Sequence, residues 1–436
     1  MKTLGLDIGT TTISAVVLED GKLVVARTEK NESFLSLSGA SWERLQDPAV
    51  IRSTALAMVD ALLEDHSDVA AIGVTGQMHG ILYLDSQGNP VSPLYTWQDG
   101  RGQQPREDGV TWAQWLSETT GYPLATGFGM VTHAYNALNG LVPPEAAVFC
   151  TIPDYLAMVL SGRTAPAVDP TNAASLGVYD LRRRDFDREA LLQAGVGVGL
   201  LPAMAEEPVL GTGPLGRPVT VALGDNQASF LGAAGQPAGT LLVNMGTGGQ
   251  VSVYSPNYLE TEALETRPFP DGGWLLVGAS LAGGRSYALL EQFFRQVAAM
   301  AGSETDSLYG AMGRALDAAG PVTDYPETVT TFLGTRKDPL CRGAITGLGA
   351  DNFTPVHLMH GVMHGMAQEL HTMFRSYLAA GGEMPARMVG SGNGLQKNPH
   401  LCRIFEETFG CPLSLSTRQE EAACGAAAYA AAHISS

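Results

Sequence analysis

Two stretches with one grammar, 237 residues apart, constrain this chain more than any other feature. LGLDIGTTTISAVVLEDGKLVVARTEK (residues 4–30) reads as three short strands: an apolar run ending at Asp7, a turn at Gly9-Thr10, a β-branched strand, a hairpin signal at Asp20-Gly21 and a last strand. TLLVNMGTGGQVSVYS (residues 240–255) begins in the same way, and aligning Gly246-Thr247 on Gly9-Thr10 puts Asn244 opposite Asp7. One reading is a duplicated α/β unit whose two Gly-Thr turns face each other across a cleft; the other is chance similarity between two glycine hairpins.

At 436 residues the chain exceeds what one core organises, since cores stop growing near roughly 250–300 residues, so two or three domains are expected. The Gly- and Pro-rich GTGPLGRPVTVALGDN is the linker candidate, giving domains of 1–216 and 217–436 divided at Gly216. A formal net charge of −18 argues against nucleic acid and anionic membrane as partners, because that binding rests on Lys and Arg against phosphate. Neither a signal-peptide core nor a run of about 18 apolar residues occurs, so a cytoplasmic protein, monomer or homodimer, is expected. The five cysteines form no CxxC pair and no zinc-like spacing, and read as reduced structural thiols.

Between the two turns the patterning predicts helices near Asp47–Glu64, Trp112–Thr120 and Pro153–Leu160 and a strand at VAAIGVTG. Beyond the second turn it predicts helices at Ser286–Ala301 and Pro355–Ala380, a strand at ARMVGSG and an alanine-rich helix from Glu420.

A phosphate loop presents backbone N–H groups at close range, which glycine permits, and adds hydroxyl donors. Thr10, Thr11, Thr247 and Gly248 suit that role, yet no Walker A lysine is present, so a nucleotide's charge would be offset mainly by Mg²⁺. Asp7 then reads as a metal carboxylate at the loop mouth, or else as a turn-forming aspartate. In LGDNQ, Asp225 follows an apolar strand, as a general base for a hydroxyl attacking a phosphate or as a helix cap; metal contact and Asn226 as a substrate contact belong to the same group. GQMHG offers Gln77, Met78 and His79, and TWQDGRG offers Trp97, Asp99 and Arg101, as donors for a polyhydroxylated substrate or as satisfied core groups. VGSGNGLQKN places Gly390, Gly392, Gly394 and Asn398 where backbone could approach a nucleoside. His357, His360, His364 and His371 have helical spacing, but the Met and Leu residues between them favour a buried amphipathic helix over a metal site.

Taken in order, LGLDIGTTT, GQMHG, TWQDGRG, LGDNQ, NMGTGG, ASLAGG and VGSGNGLQKN make the chain resemble the FGGY carbohydrate kinases almost end to end. The resemblance implies an α/β fold of two actin-like, ribonuclease-H-like domains flanking a deep catalytic cleft. Sugar is expected mainly on the N-terminal domain and ATP on the C-terminal one, with closure on binding. It implies Asp225 as catalytic base, Met78 and His79 as sugar contacts, and Asp7 and Thr10 as the metal and phosphate loop. Thr247, Gly283 and Gly392 match nucleotide contacts; Asn398 follows a loop longer than the family's common form. The Met78-His79 pair, where glycerol kinase carries Arg-Glu, is similar to the ketose branch. SGNGLQKN, ELHTM and EEAACGAA favour sedoheptulose over xylulose as the acceptor. Two further readings on the same architecture are a nucleotide-driven clamp without sugar chemistry and a phosphatase.

Overall fold

The computed structural model of the chain describes all residues except 36–38, 214, 336, 337, 339, 417 and 435–436. It divides into two compact units. Unit 1 comprises Met1–Gly235, Pro268–Gly272 and Arg418–Ser436; unit 2 comprises Gln236–Arg267 and Gly273–Thr417. The expected linker lies within unit 1, where Gly216 forms a left-handed turn; Pro214 is outside the described residues.

Unit 1 opens with the expected meander, β1 (Lys2–Ile8), β2 (Thr12–Glu19) and β3 (Lys22–Lys30), paired antiparallel in that order. The helix α1 (Pro48–Asp65) follows, its first turn closed by Asp47, whose side chain accepts from the Ala49 N–H. It leads into β4 (Val69–Gly76), which pairs parallel with β1. Next come α2 (Gly129–Leu138), α3 (Ile152–Leu160) and α4 (Pro170–Leu176). The sheet is completed by β5 (Val209–Thr212), β6 (Pro218–Thr220) and β7 (Leu223–Gly224), in the order β5-β6-β4-β1-β2-β3 with β7 also on β4. Asp225 starts α5 (Asp225–Ala234).

Unit 2 repeats the plan. β8 (Thr240–Met245), β9 (Gly249–Ser255) and β10 (Trp274–Ser280) form an antiparallel meander, followed by α6 (Gly283–Met300) and α7 (Pro355–Ala379). β11 (Arg387–Ser391) pairs parallel with β8, leading to α8 (Asn393–Gln396), α9 (Pro399–Phe409) and β12 (Leu413–Leu415) on β11. Asp7 pairs with Ser14 and Thr75, and Asn244 pairs with Gln250 and Ser391, so the two residues take matching places on the first strand of each meander, while the second turn is one residue shorter, Met245 pairing with Gly249 where Ile8 pairs with Ile13. The chain closes with α10 (Glu421–Ile434) in unit 1.

Strand alternation decides which face each side chain takes. Leu4, Leu6 and Ile8 point to the core shared with Ile51, Ala55, Val59 and Leu62 of α1. The intervening Thr3, Gly5 and Asp7 face α10: the Thr3 hydroxyl donates to the Ala427 carbonyl at 2.9 Å, and a Cβ on Gly5 would stand 1.9 Å from the Ala423 carbonyl oxygen. A Cβ on Gly73 would meet the Ala426 oxygen at 1.9 Å, and one on Gly425 would meet the Ala228 oxygen of α5 at 1.8 Å. The alanine-rich helix is therefore a close-packed wedge between sheet and α5, where only small residues leave room.

The unit 2 core sets Leu241, Val243 and Met245 against Met359, Val362, Met363, Met366 and Leu370 of α7. Its histidines pack against rings: His364 stacks on Tyr325 at 4.0 Å and His371 meets Phe409 edge-on at 5.0 Å. Among the described residues no helix is long and apolar enough to cross a membrane.

Candidate active site

In unit 1, β1, β4 and β7 run parallel with their carboxyl ends in register, Asp7 opposite Thr75, Leu223 opposite Thr75 and Gly224 opposite Gly76. Ligand sites of open α/β sheets form at such ends. Asp7 is the penultimate residue of β1, Gln77–His79 follow β4, and Asp225 follows β7, so three motifs far apart in sequence leave one edge. Gly224 is the N-cap of α5 and Asp225 its first residue, so the acid is in the first turn and not at the cap.

Burial, then the charge of Asp225, then that of Glu420, push the Asp7 carboxyl from its usual 3.8 up to about 7. Glu420 precedes α10 in a left-handed conformation (φ 53°) and accepts from the Thr28 hydroxyl at 2.9 Å; Thr28 in turn meets Ser14, the strand partner of Asp7. Sequence reasoning missed Glu420 because this contact joins the two ends of the chain.

The first Gly-Thr turn is fastened by the very motifs singled out as sugar contacts. The Thr10 hydroxyl donates to Gln77 Oε1 at 3.2 Å and accepts from the Trp97 indole N–H at 2.9 Å. Gln46 Nε2 donates to the Thr10 carbonyl at 2.9 Å, and Gln77 Nε2 donates to Gln46 Oε1 at 2.9 Å. Gln77 is buried while Trp97 is 45% exposed, so the indole presents a ring beside the turn. Thr11 is exposed, and its carbonyl accepts from the Asn31 N–H.

Met78 is buried, and a Cβ on Gly224 would come within 2.8 Å of its methyl carbon, so the GQMHG loop lies directly against the residue before Asp225. His79 is left-handed (φ 73°), a conformation that costs a non-glycine residue and recurs at functional sites. Its ring stacks on Phe128 at 4.5 Å, and its Nδ1 lies 2.6 Å from the Ser175 carbonyl. A carbonyl accepts only, so the proton sits on Nδ1. Asn226, beside Asp225, has a buried Oδ1 with no hydrogen-bond partner.

Asp99 stands apart from this group. It is fully buried, its oxygens accept from the Arg44 N–H, the Arg101 N–H and the Arg101 guanidinium, and Arg101 lies over the Tyr95 ring at 4.1 Å. The pair supports the Trp97 loop from behind.

In unit 2 the turn Gly246–Gly248 sits between two helix starts. A Cβ on Gly283 would fall 2.0 Å from the Gly248 carbonyl carbon, and one on Gly392 (φ 85°) would fall 2.7 Å from the Met245 carbonyl. The Gly246 and Thr247 carbonyls accept from the Gly284 and Arg285 N–H groups at 3.0 and 3.1 Å, so the turn caps α6. Thr247 is exposed, Gly248 is partly exposed, and Asn244 Nδ2 donates to the Ser391 hydroxyl at 2.8 Å. Gly390, next to last in β11, pairs with Val243, and Gly394 packs on Met245. Asn398 caps α9: its Oδ1 accepts from the Leu401 N–H at 3.1 Å and its amide points to the Met363 sulfur.

Known proteins resemble this chain in sequence and fold. Residues 2–232 match the model of the N-terminal domain of the FGGY family of carbohydrate kinases, and residues 241–434 match that of its C-terminal domain. The chain is 31% identical to sedoheptulokinase of Mus musculus and 30% identical to that of Homo sapiens, each alignment covering 98% of this chain and 96% of the relative. The crystal structure of xylulose kinase from Rhodospirillum rubrum superposes with a TM-score of 0.82 at 23% identity, over all of this chain and 90% of that one. The chain therefore belongs to the FGGY family of carbohydrate kinases.

Proposed function

We propose that this carbohydrate kinase transfers the γ-phosphoryl group of ATP to the terminal primary hydroxyl of a ketose, sedoheptulose, giving sedoheptulose 7-phosphate. The observation that carries the reading is the packing of Met78 on Gly224, which joins the proposed sugar loop to the residue preceding the proposed base. The choice of sedoheptulose rests on the resemblance to the two mammalian sedoheptulokinases over nearly the whole chain. Xylulose is the second reading, on the Met78-His79 pair and the shared fold.

Unit 1 is proposed to take the sugar, through Gln77, Met78, His79, Trp97 and Asn226. Trp97 offers an apolar ring face, His79 offers an imidazole whose Nδ1 is held by the Ser175 carbonyl, and Asn226 offers an unpartnered Oδ1. Asp99 contributes by holding the Trp97 loop. Unit 2 is proposed to take ATP, with the N–H groups of the Thr247–Gly248 turn and the Thr247 hydroxyl on the phosphates, and Gly283 and Gly392 allowing backbone to approach the nucleotide. Asn398 acts there through the placement of α9. Thr10 and Thr11 are proposed as further phosphate donors.

Asp225 accepts the proton of the attacking hydroxyl as its oxygen bonds to the γ-phosphorus and the bond to the ADP oxygen breaks. Mg²⁺ fits the acids present: Asp7 feels Asp225 and Glu420 as like charges, and carboxylate oxygens are the hard donors this ion prefers. Among the described residues no three side chains converge as a direct metal cage, which suits an ion that keeps waters and phosphate oxygens. Bound at Asp7 and Asp225, it would offset the charge of the triphosphate. The test is Asp225→Asn: a folded variant that binds ATP but loses turnover by at least ~10²-fold is expected, and a kcat near the parent's would remove Asp225 as base.

A further inference from the structure

The short helix α4 carries Thr171, Asn172 and Ser175, all buried, and none of them has a part in the chemistry above. Their side chains are spent on the backbone of two other segments. Thr171 Oγ1 accepts from the Gly224 N–H at 3.0 Å, and Asn172 Nδ2 donates to the Ala222 carbonyl at 3.1 Å. With the Thr75 hydroxyl donating to the Leu223 carbonyl at 2.8 Å, each of the three residues before Asp225 is tethered by a side chain. At the other end of α4, Ser175 Oγ accepts from the His79 N–H at 3.3 Å, and the Ser175 carbonyl accepts from His79 Nδ1 at 2.6 Å.

The helix is itself anchored. The Asp169 side chain accepts from the Thr171 N–H at 2.8 Å, and Asn172 Nδ2 also donates to Asp154 Oδ1 at 3.1 Å. Asp154 is held by the Thr151 hydroxyl at 2.6 Å. Both partners of the Asn172 amide are acceptors, which fixes its orientation and leaves its Oδ1 without a partner. A helix serving only as core filler would present apolar groups here; burying polar ones is costly unless each is bonded in a defined direction.

We propose that α4 is a shared positioning element: Thr171 and Asn172 fix the corner that aims Asp225, Ser175 fixes the left-handed turn that aims His79, and the helix sets the spacing between proton acceptor and sugar. The inference rests on the reading of Asp225 as base and His79 as sugar contact. Thr171, Asn172 and Ser175 are positioning residues, acting through the groups they hold. Displacement of a reacting group by about 1 Å can cost ~10²-fold in rate, so loss of one tether should be visible in kinetics before it is visible in folding.

The test compares Thr171→Val, Thr171→Ser, Ser175→Ala and Asp225→Asn for kcat and sugar KM by ADP release, with thermal unfolding of each. T171V removes the acceptor at nearly constant volume and should lower kcat about 10- to 100-fold with sugar KM within about threefold. T171S, which keeps the oxygen, should restore kcat to within about threefold of the parent. S175A should raise sugar KM roughly 5- to 20-fold with a smaller change in kcat. Should T171V not fold, Thr171→Ala removes the same acceptor with less crowding. An unchanged kcat in folded T171V or T171A, or an unchanged sugar KM in S175A, overturns the proposal. D225N separates the two claims: turnover near the parent's sinks the base reading, whereas an inactive D225N beside a fully active T171V sinks the role of α4 alone.

Discussion

Thr10 and Asp99 show how far a residue's neighbours decide its work. Both stand in loops marked as ligand-binding, but Thr10 gathers Gln77 and Trp97 around a hydroxyl at the loop mouth, while Asp99 is enclosed with Arg101 and Arg44. Two opposite charges two positions apart look alike in sequence whether they face water or each other, so the buried pair was not legible there. The carboxyl edge was legible, because Asp7 and Asp225 each follow an apolar run that ends in a glycine turn or helix start. Asp7→Asn should keep the fold, lower kcat by at least ~10²-fold and raise the Mg²⁺ concentration giving half-maximal rate; an unchanged Mg²⁺ titration would remove Asp7 from the metal site. Asp154 gives a pH signature. Burial raises its carboxyl from 3.8 to about 7, so between those values the folded chain holds a proton that the unfolded chain has released. Stability from this group is therefore fully present below pH ~4 and falls as pH rises toward 7. Asp154→Asn mimics the protonated acid toward Thr151 and Asn172, so its unfolding midpoint should exceed the parent's at pH 8 and match it near pH 4; a D154N less stable than the parent at pH 8 contradicts this origin.

Among elements, the closing helix α10 shows the reach of composition and its limit. Alanines at 422, 423, 426 and 427 announce a helix pressed against something, and Gly5, Gly73 and Gly425 are the points where backbone meets backbone. Which surfaces meet could not be read, since the partners lie about 420 positions away in β1, about 350 in β4 and about 200 in α5. Gly425→Ala drives a methyl group onto the Ala228 carbonyl; it should cost about 1–3 kcal/mol and lower the unfolding midpoint by several degrees. An unchanged midpoint would mean that α10 and α5 are not so close. The long helices and the meanders were legible from periodicity, α7 to within a residue of its end. The helices α2 and α4 were not: α4 is only seven residues, PTNAASL, mixing a proline and small polar residues with alanines, and such a run matches a loop as well as a helix.

For the whole molecule, the repeated sheet order assigns comparable turns to the two units, and the ligands are proposed to divide between them. Hydrogen exchange should show a nonhydrolysable ATP analogue slowing amides near 246–248, 283–285 and 392–394, and sugar slowing those near 77–80 and 97–99. Sugar protection confined to unit 2 would reverse the assignment. Substrate choice among ketoses was the least legible feature, because the stereochemistry of hydroxyl groups is read by angles and distances that spacing along a chain does not encode. The most direct measurement is ADP release with Mg²⁺ and ATP across sedoheptulose, xylulose, ribulose, gluconate and glycerol, with the position of the new phosphate in the product determined by NMR. The expected result is the highest kcat/KM for sedoheptulose, phosphorylated at its terminal primary carbon, with little ADP released when sugar is omitted. Equal ADP release with and without sugar, or comparable kcat/KM on all five acceptors, would contradict a ketose kinase built around Asp225.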